Sequence, residues 1–238
     1  MASTRFPGKI LAPLAGLPLL AVIVERLRGA PLDELWLATT AGAADDVTAA
    51  WGEELGLRVF RGDEEDVLSR FVAVAERSAP DWMVRFTADD PFVDAAVVGL
   101  LVEQAAAAGP RVSLVGTASP ARTLPLGYVP AVARAAAVVR SAAEIPADAS
   151  HHRTHVLSWL RERGEAEEFR VPAGWPARPE WRWTVDTAAD HEMARRVFAS
   201  LGDGWRTAGY RSLVAVLDAA PDLAALNRDV RQKRLKEG

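Results

Sequence analysis

Ser3, Arg5 and Lys9 fall within seven residues of one another in Ser3-Thr4-Arg5-Phe6-Pro7-Gly8-Lys9, just ahead of the apolar run Ile10-Leu11-Ala12-Pro13-Leu14-Ala15-Gly16. Hydroxyl and backbone N–H donors in such a loop can surround phosphate oxygens, and Arg5 and Lys9 bring positive charge. An ordinary basic turn uses the same residue types, so partners elsewhere in the chain must decide the chemistry. Two carboxylates stand out. Asp89 lies in Arg85-Phe86-Thr87-Ala88-Asp89-Asp90-Pro91, and Asp186 lies in Trp181-Arg182-Trp183-Thr184-Val185-Asp186-Thr187; each ends a stretch that reads as an apolar strand. Carboxylates at the mouths of two strands can jointly hold a divalent cation beside a triphosphate. Mg²⁺ suits this role, because it takes one or two protein carboxylates together with phosphates and water. Either Asp could instead cap the helix that follows it. Asp90 and Asp190 read as helix-start or surface charges.

The elements that position these residues follow from periodicity. Helices are expected over Pro18–Arg28, Ala44–Leu55, Asp66–Arg77 and Ala95–Ala108, and near the end over Ala189–Leu201, Tyr210–Ala219 and Asp222–Leu235. Strands are expected over Glu34–Thr39, Leu57–Arg61, Trp82–Phe86 and Arg111–Val115, with the late one ending at Asp186. Strands alternating with helices of this length imply parallel βαβ units. Ligands in open parallel sheets bind beyond the strand carboxyl ends, so the loops after Leu37, Arg61 and Phe86 should share one crevice. Gly164–Arg182 is too rich in proline for a helix and reads as an irregular arm. Its clustered tryptophans would suit a homodimer contact or a cover over the crevice.

Composition narrows the class. The chain has 238 residues, half of them hydrophobic and a quarter charged, which fits one α/β domain over 1–238 with the arm at 164–182 and a helical extension at 205–238. A net charge of −4 offers no footprint for a nucleic-acid polymer. The basic run Arg228–Lys236 is interleaved with acids and reads as a solvated helix end. The absence of cysteine excludes disulfides and fits a cytoplasmic location. Pro13, Gly16 and Pro18 break the first apolar run, so no membrane partner is expected.

The quoted motifs resemble those of the cytidylyltransferases that activate acidic sugars, of the acylneuraminate and KDO type, and most closely the spore-coat polysaccharide biosynthesis F branch. The match covers Ser3–Lys9, Leu37-Ala38-Thr39-Thr40, Arg61-Gly62-Asp63-Glu64-Glu65-Asp66-Val67-Leu68-Ser69-Arg70-Phe71, both aspartate segments and Pro221–Asn227. The resemblance implies a three-layer Rossmann-like α/β fold with a mostly parallel sheet, and transfer of CMP from CTP to a sugar-like acceptor in polysaccharide biosynthesis. By the same resemblance Lys9, Arg5 and Asp89 would be catalytic, and Ser3, Arg5, Lys9, Thr39, Asp66, Arg70 and Arg85 would bind the nucleotide. Asp89 and Asp186 would hold Mg²⁺. Asp66 and Arg70 could equally form a structural pair, being four residues apart on a helix. His151, His152 and His155 suggest zinc by their spacing, but His152-Arg153-Thr154-His155-Val156 resembles a family element with Thr154 in place of an acid, which favours packing or substrate contact.

Three departures from the family pattern bear on function. The family has a strand and a Gln-Ala-Arg triplet ahead of the first motif, so the resemblance implies a start upstream of Met1; without that strand its neighbours would keep unpaired edges and an open slot. Leu17 replaces a lysine. Leu126, Val129 and Ala131 stand where the family has Arg, Asp and Glu, so the acceptor is expected to differ or the activity to be impaired. A nucleotide-binding scaffold of the same fold is therefore the second reading, and a glycosyltransferase using Asp89-Asp90 a weaker third.

Overall fold

The computed structural model describes residues 5–117 and 122–232. Gly8, with φ +69°, caps a short 3₁₀ segment, Lys9–Leu11, near the start of the described residues. Pro13–Leu14 (β1) and Leu17–Pro18 (β2) then form a hairpin. Its two-residue turn, Ala15-Gly16, has positive φ at both positions, as tight hairpins require. Pro18 leads directly into Leu19–Arg26 (α1), where only Glu25 is not buried. A helix apolar nearly all round belongs in a protein interior.

The remaining elements are β3 (Trp36–Thr40), α2 (Asp46–Glu54), β4 (Arg58–Gly62), α3 (Val67–Ser78), β5 (Trp82–Arg85), α4 (Ala95–Ala106), β6 (Leu114–Gly116), β7 (Ala131–Arg134), α5 (Ala135–Glu144), α6 (His151–Thr154), α7 (Ser158–Glu162), β8 (Ala166–Glu168), α8 (Ala188–Leu201), α9 (Tyr210–Ala219) and α10 (Pro221–Ala225). The α/β class is as expected. The sheets, however, are mixed rather than mostly parallel. β3 and β4 pair in parallel, and a second sheet has the order β5-β7-β6-β8, with β7 antiparallel to both its neighbours. The reason lies in the connection from β6 to β7. Its described part holds no helix, and a parallel return needs a long crossover.

Three further expectations are corrected. No strand forms over 181–186; the segment makes one isolated bridge, Leu126 to Arg182. The arm contains a strand, β8, on the edge of the second sheet. α10 ends at Ala225, because Asn227 turns its side chain inward and donates to the Arg182 carbonyl and to Asp190, both at 2.9 Å. Residues 233–238, including the basic end of the tail, lie outside the described residues.

The main core gathers α1, α4, α8 and α9 around Phe92, Tyr128, Trp183 and Phe198, while α3, α5 and α7 close a second cluster around Leu68, Val138 and Leu160. The arm's aromatics are engaged within the chain: Trp183 is buried against Phe92 and Tyr128, and Trp175 stacks on Tyr210 at 4.6 Å. No helix among the described residues is long and apolar enough to cross a membrane.

Arg26 is the polar tether of this core. Its guanidinium donates to the carbonyls of Val93 at 3.0 Å, Phe92 at 3.1 Å, Ala208 at 2.8 Å and also Trp205, with the Asp94 carboxylate at 3.9 Å. It thus fastens α1 to the head of α4 and to the turn before α9. Arg26→Met keeps the apolar stem but strands those acceptors, and is expected to cost about 3–5 kcal/mol in urea unfolding. A loss below about 1 kcal/mol would refute the tether.

Candidate active site

Lys9 begins the 3₁₀ segment that Gly8 makes possible, and this turn aims its side chain across the molecule. Its Nζ donates to Asp89 Oδ2 and, at 2.7 Å, to Asp186 Oδ1. Arg5 reaches the other oxygen of Asp186 at 2.9 Å. Segments some 80 and 177 residues from Lys9 therefore meet at one ammonium. Their backbones meet as well, with the Val185 N–H donating to the Asp89 carbonyl at 2.8 Å. The group is largely enclosed, the three side chains being 13%, 21% and 14% exposed.

Burial lowers the Lys9 pKa, but Asp89 and Asp186 outweigh it and hold the ammonium's pKa above its usual value. Burial would likewise raise Asp186, yet Lys9, Arg182 and Arg5 hold it below the usual carboxylate range.

A second tier supports Asp186. Arg182 donates to Asp186 Oδ2, to Gln232, and through Nε to Asp190 at 2.8 Å. Asp190 is fully buried and caps α8 reciprocally with Thr187, accepting the N–H groups of Asp186 at 3.0 Å and Thr187 at 2.9 Å. Its helix-start reading holds, and it is also the anchor of Arg182. Neither role of Arg182 was assigned from sequence. The Thr187-Ala188-Ala189-Asp190 capping box was a legible signal for Asp190, but nothing local marks the reach of Arg182.

Asp90 departs from expectation. It neither starts a helix nor serves as a surface charge. It accepts from Thr87 Oγ1, and its carboxyl packs against Thr184 and Gly127. Gly127 is required there twice over: its φ is +86°, and a Cβ would meet Asp90 Oδ1 at 2.6 Å and the Thr184 nitrogen at 2.8 Å. Enclosure, followed by the neighbouring Asp89 charge, pushes the Asp90 pKa up to about 8.

Of the other expected nucleotide contacts, Arg85 feels the charges of Asp89 and Asp90, whereas Thr39, Asp66 and Arg70 interact with groups outside this cluster. Thr39 is buried and donates to Asp45 at 3.1 Å, as Thr40 does at 2.6 Å. Asp66 caps α3 through the Ser69 N–H at 3.0 Å and accepts from Arg153 Nε at 2.8 Å, so its ionic partner is Arg153 on α6 rather than Arg70. Arg70 is buried with its Nε unpartnered, and Arg85 likewise keeps an unpartnered Nε. Ser3 lies outside the described residues. Leu126 supplies backbone bonds to Trp181 and Trp183 at 3.0 and 2.7 Å, Val129 packs on the main core, and Ala131 sits in β7 opposite Arg85. α6 ends at Thr154 with His155 as its cap, and it is His151, His152 and Glu162 that bring potential ligand atoms within 4.8 Å of one another.

The oxygen set at the main cluster suits a hard divalent cation. Asp89 and Asp186 both reach one nitrogen, so a single small cation could touch both carboxylates.

The family model described as cytidylyltransferase matches residues 1–169. The chain is 31% identical over 232 residues to the spore coat polysaccharide biosynthesis protein SpsF of Bacillus subtilis, covering 94% of this chain and 93% of that one. Its fold is similar to that of a cytidylyltransferase from Leptospira borgpetersenii, with a TM-score of 0.86, 24% identity and coverage of 98% and 95% of the two chains. It is also similar to CMP:2-keto-3-deoxy-manno-octonic acid synthetase solved with CTP, with a TM-score of 0.60, 19% identity and coverage of 84% and 95%.

The Asp90 assignment carries a pH signature. Its folded pKa lies above the value of about 3.9 expected when unfolded, so its contribution is fully present below pH ~4 and is lost as pH rises toward 8. Asp90→Asn should flatten the fall in folding stability between pH 5 and 8 seen in urea titrations. An unchanged slope would mean that Asp90 ionises normally.

Proposed function

The chain belongs to the cytidylyltransferase family, and from that premise we propose that it transfers CMP from CTP to an oxygen of a sugar-like acceptor, releasing pyrophosphate. The observation that carries this reading is the bridge from Lys9 to Asp89 and Asp186, with Arg5 beside it. In the transfer, the acceptor oxygen forms a bond to the α-phosphorus in line while the bond to the leaving pyrophosphate breaks. Chemistry of this kind rests on positioning and charge rather than on a strong base.

Asp89 and Asp186 would hold a Mg²⁺ ion, which when bound neutralises phosphate charge. Lys9 is held by the same two carboxylates, so its ammonium is kept charged and close until a triphosphate offers it competing oxygens. Arg5 then lies near enough to share the load on the leaving group, and Arg182 keeps Asp186 oriented throughout. Thr39, Asp66, Arg70 and Arg85 belong to the proposed nucleoside side of the crevice. The unpartnered Nε atoms of Arg70 and Arg85 are consistent with ligand contacts there.

One observation favours the scaffold reading. Leu126, Val129 and Ala131 are spent on packing and pairing, which leaves an acceptor region without those charges. The glycosyltransferase reading loses ground, because Asp90 turns to Thr87 and Thr184 while Asp89 faces Lys9.

Asp186→Asn and Lys9→Ala should each slow pyrophosphate release from CTP by about 10²–10³-fold with an acidic-sugar panel, while the circular dichroism stays native. Equal turnover in wild type and Asp186→Asn would overturn the site assignment. Calorimetric binding of CTP with no turnover on any acceptor would favour the scaffold.

A further inference from the structure

A second polar cluster, which nucleotidyl transfer does not use, is built where α6 meets α7. His152 is its buried centre, only 3% exposed. Its Nδ1 lies 2.7 Å from Ser158 Oγ, and its Nε2 lies 3.0 Å from Glu162 Oε2. The His151 ring packs on that of His152, with centroids 4.0 Å apart, and Trp159 stands edge-on to His152 at 5.3 Å. Val156, Leu157 and Leu160 bury the same stretch of chain in the second core cluster, so the imidazole of His152 sits on a fixed base. The Glu162 side chain is 64% exposed, which leaves the cluster open to solvent on that side.

One donor atom from each of His151, His152 and Glu162 lies within 4.8 Å of the other two. Two ligands of a tetrahedral zinc ion, each about 2.1 Å from the metal, stand about 3.4 Å from one another. His152 Nε2 and Glu162 Oε2 are within a few tenths of an ångström of that separation. His151 is only half-buried, so its ring can rotate to close the rest. Ser158 supplies what a ligating imidazole needs behind it. A metal-bound histidine almost always donates its other ring N–H to a fixed acceptor, and Ser158 Oγ occupies that position at Nδ1. An ordinary His–Glu hydrogen bond accounts for His152 and Glu162, but not for a third donor gathered at the same point.

We propose that His151, His152 and Glu162 form a site for one divalent transition-metal ion of the zinc class, with a fourth position left to water. Two imidazole nitrogens and one carboxylate oxygen select such an ion, whereas Mg²⁺ and Ca²⁺ prefer oxygen alone. The site is therefore chemically distinct from the all-oxygen pair Asp89 and Asp186. Binding sets the His152 tautomer: Nδ1–H donates to Ser158 while Nε2 turns its lone pair to the metal. Without an ion, the Ser158 hydroxyl donates to Nδ1 and Nε2–H donates to Glu162. A bound ion also ties α6 to α7 across the turn at 155–157. Arg153, on the same short helix, holds Asp66 through Nε at 2.8 Å, so the ion would steady that ion pair as well.

The test titrates the full chain, stripped with a chelator, with Zn²⁺ in competition with a chromophoric indicator and in excess Mg²⁺. A single ion should bind per chain, and Co²⁺ in its place should give the intense visible absorption of tetrahedral coordination. His151→Asn and Glu162→Gln, both at solvent-accessible positions, should each weaken zinc binding by about tenfold or more while circular dichroism stays native. Asp89→Asn should leave the zinc affinity unchanged. Nitrogen-15 spectra of the imidazoles should show His152 protonated at Nδ1 and metal-bound at Nε2 once zinc is added. Failure of zinc to compete with the indicator would overturn the proposal. So would equal affinity in wild type, His151→Asn and Glu162→Gln, or loss of zinc binding in Asp89→Asn, which would place the ion at the other carboxylates. None of these readouts uses CTP, so their failure is separable from failure of the nucleotidyl-transfer reading.

Discussion

The site depends on one ammonium shared by two carboxylates. Lys9 joins the opening turn to the segment after β5 and to the segment before α8, and Arg5 and the Val185–Asp89 backbone bond reinforce that junction. Enclosed charges are tolerated only when paired, and here the pairing is complete. Lys9, Arg5 and Arg182 are matched by Asp89, Asp186 and Asp190 within the same contact network. Asp90 stands outside this balance, which agrees with its raised pKa: a fourth carboxylate is easier to keep when protonated.

The surrounding architecture serves that point of contact. Asp190 fixes the start of α8 and the Arg182 guanidinium in one arrangement, and Asn227, just after α10, braces it. Arg26 does the equivalent within the main core, clamping α1 to the head of α4. Asp94, the cap of α4, accepts from Ala96 and Val97 N–H groups and from Tyr128 Oη at 2.8 Å, which links that clamp to the aromatic core. Buried polar groups with all partners present confer rigidity, and a positioned charge is what nucleotidyl transfer would require.

Legibility in the sequence followed the range of the interactions. Helices with their own caps, such as α3 with Asp66 and α8 with its capping box, and the periodic α9, were readable within a residue or two. β7 and α5 were not, because Ala131–Arg134 is only four residues long and the alanines that fill Ala131–Ala142 mark neither a strand nor a cap. The segment ending at Asp186 looked like a strand by composition, yet its N–H groups bond singly to Leu126 and Asp89 rather than to a neighbouring strand. Pairing is a property of the partner as much as of the segment.

By itself the sequence determined the α/β class, the family motifs and the residues Arg5, Lys9, Asp89 and Asp186 as candidates, since residue type and local spacing are enough for those. Only the tertiary structure decided that these four converge, and that Asp66 pairs with Arg153 and Asp90 turns inward. Those outcomes depend on contacts between residues tens to hundreds of positions apart, where charge and burial are set by neighbours that no local pattern encodes.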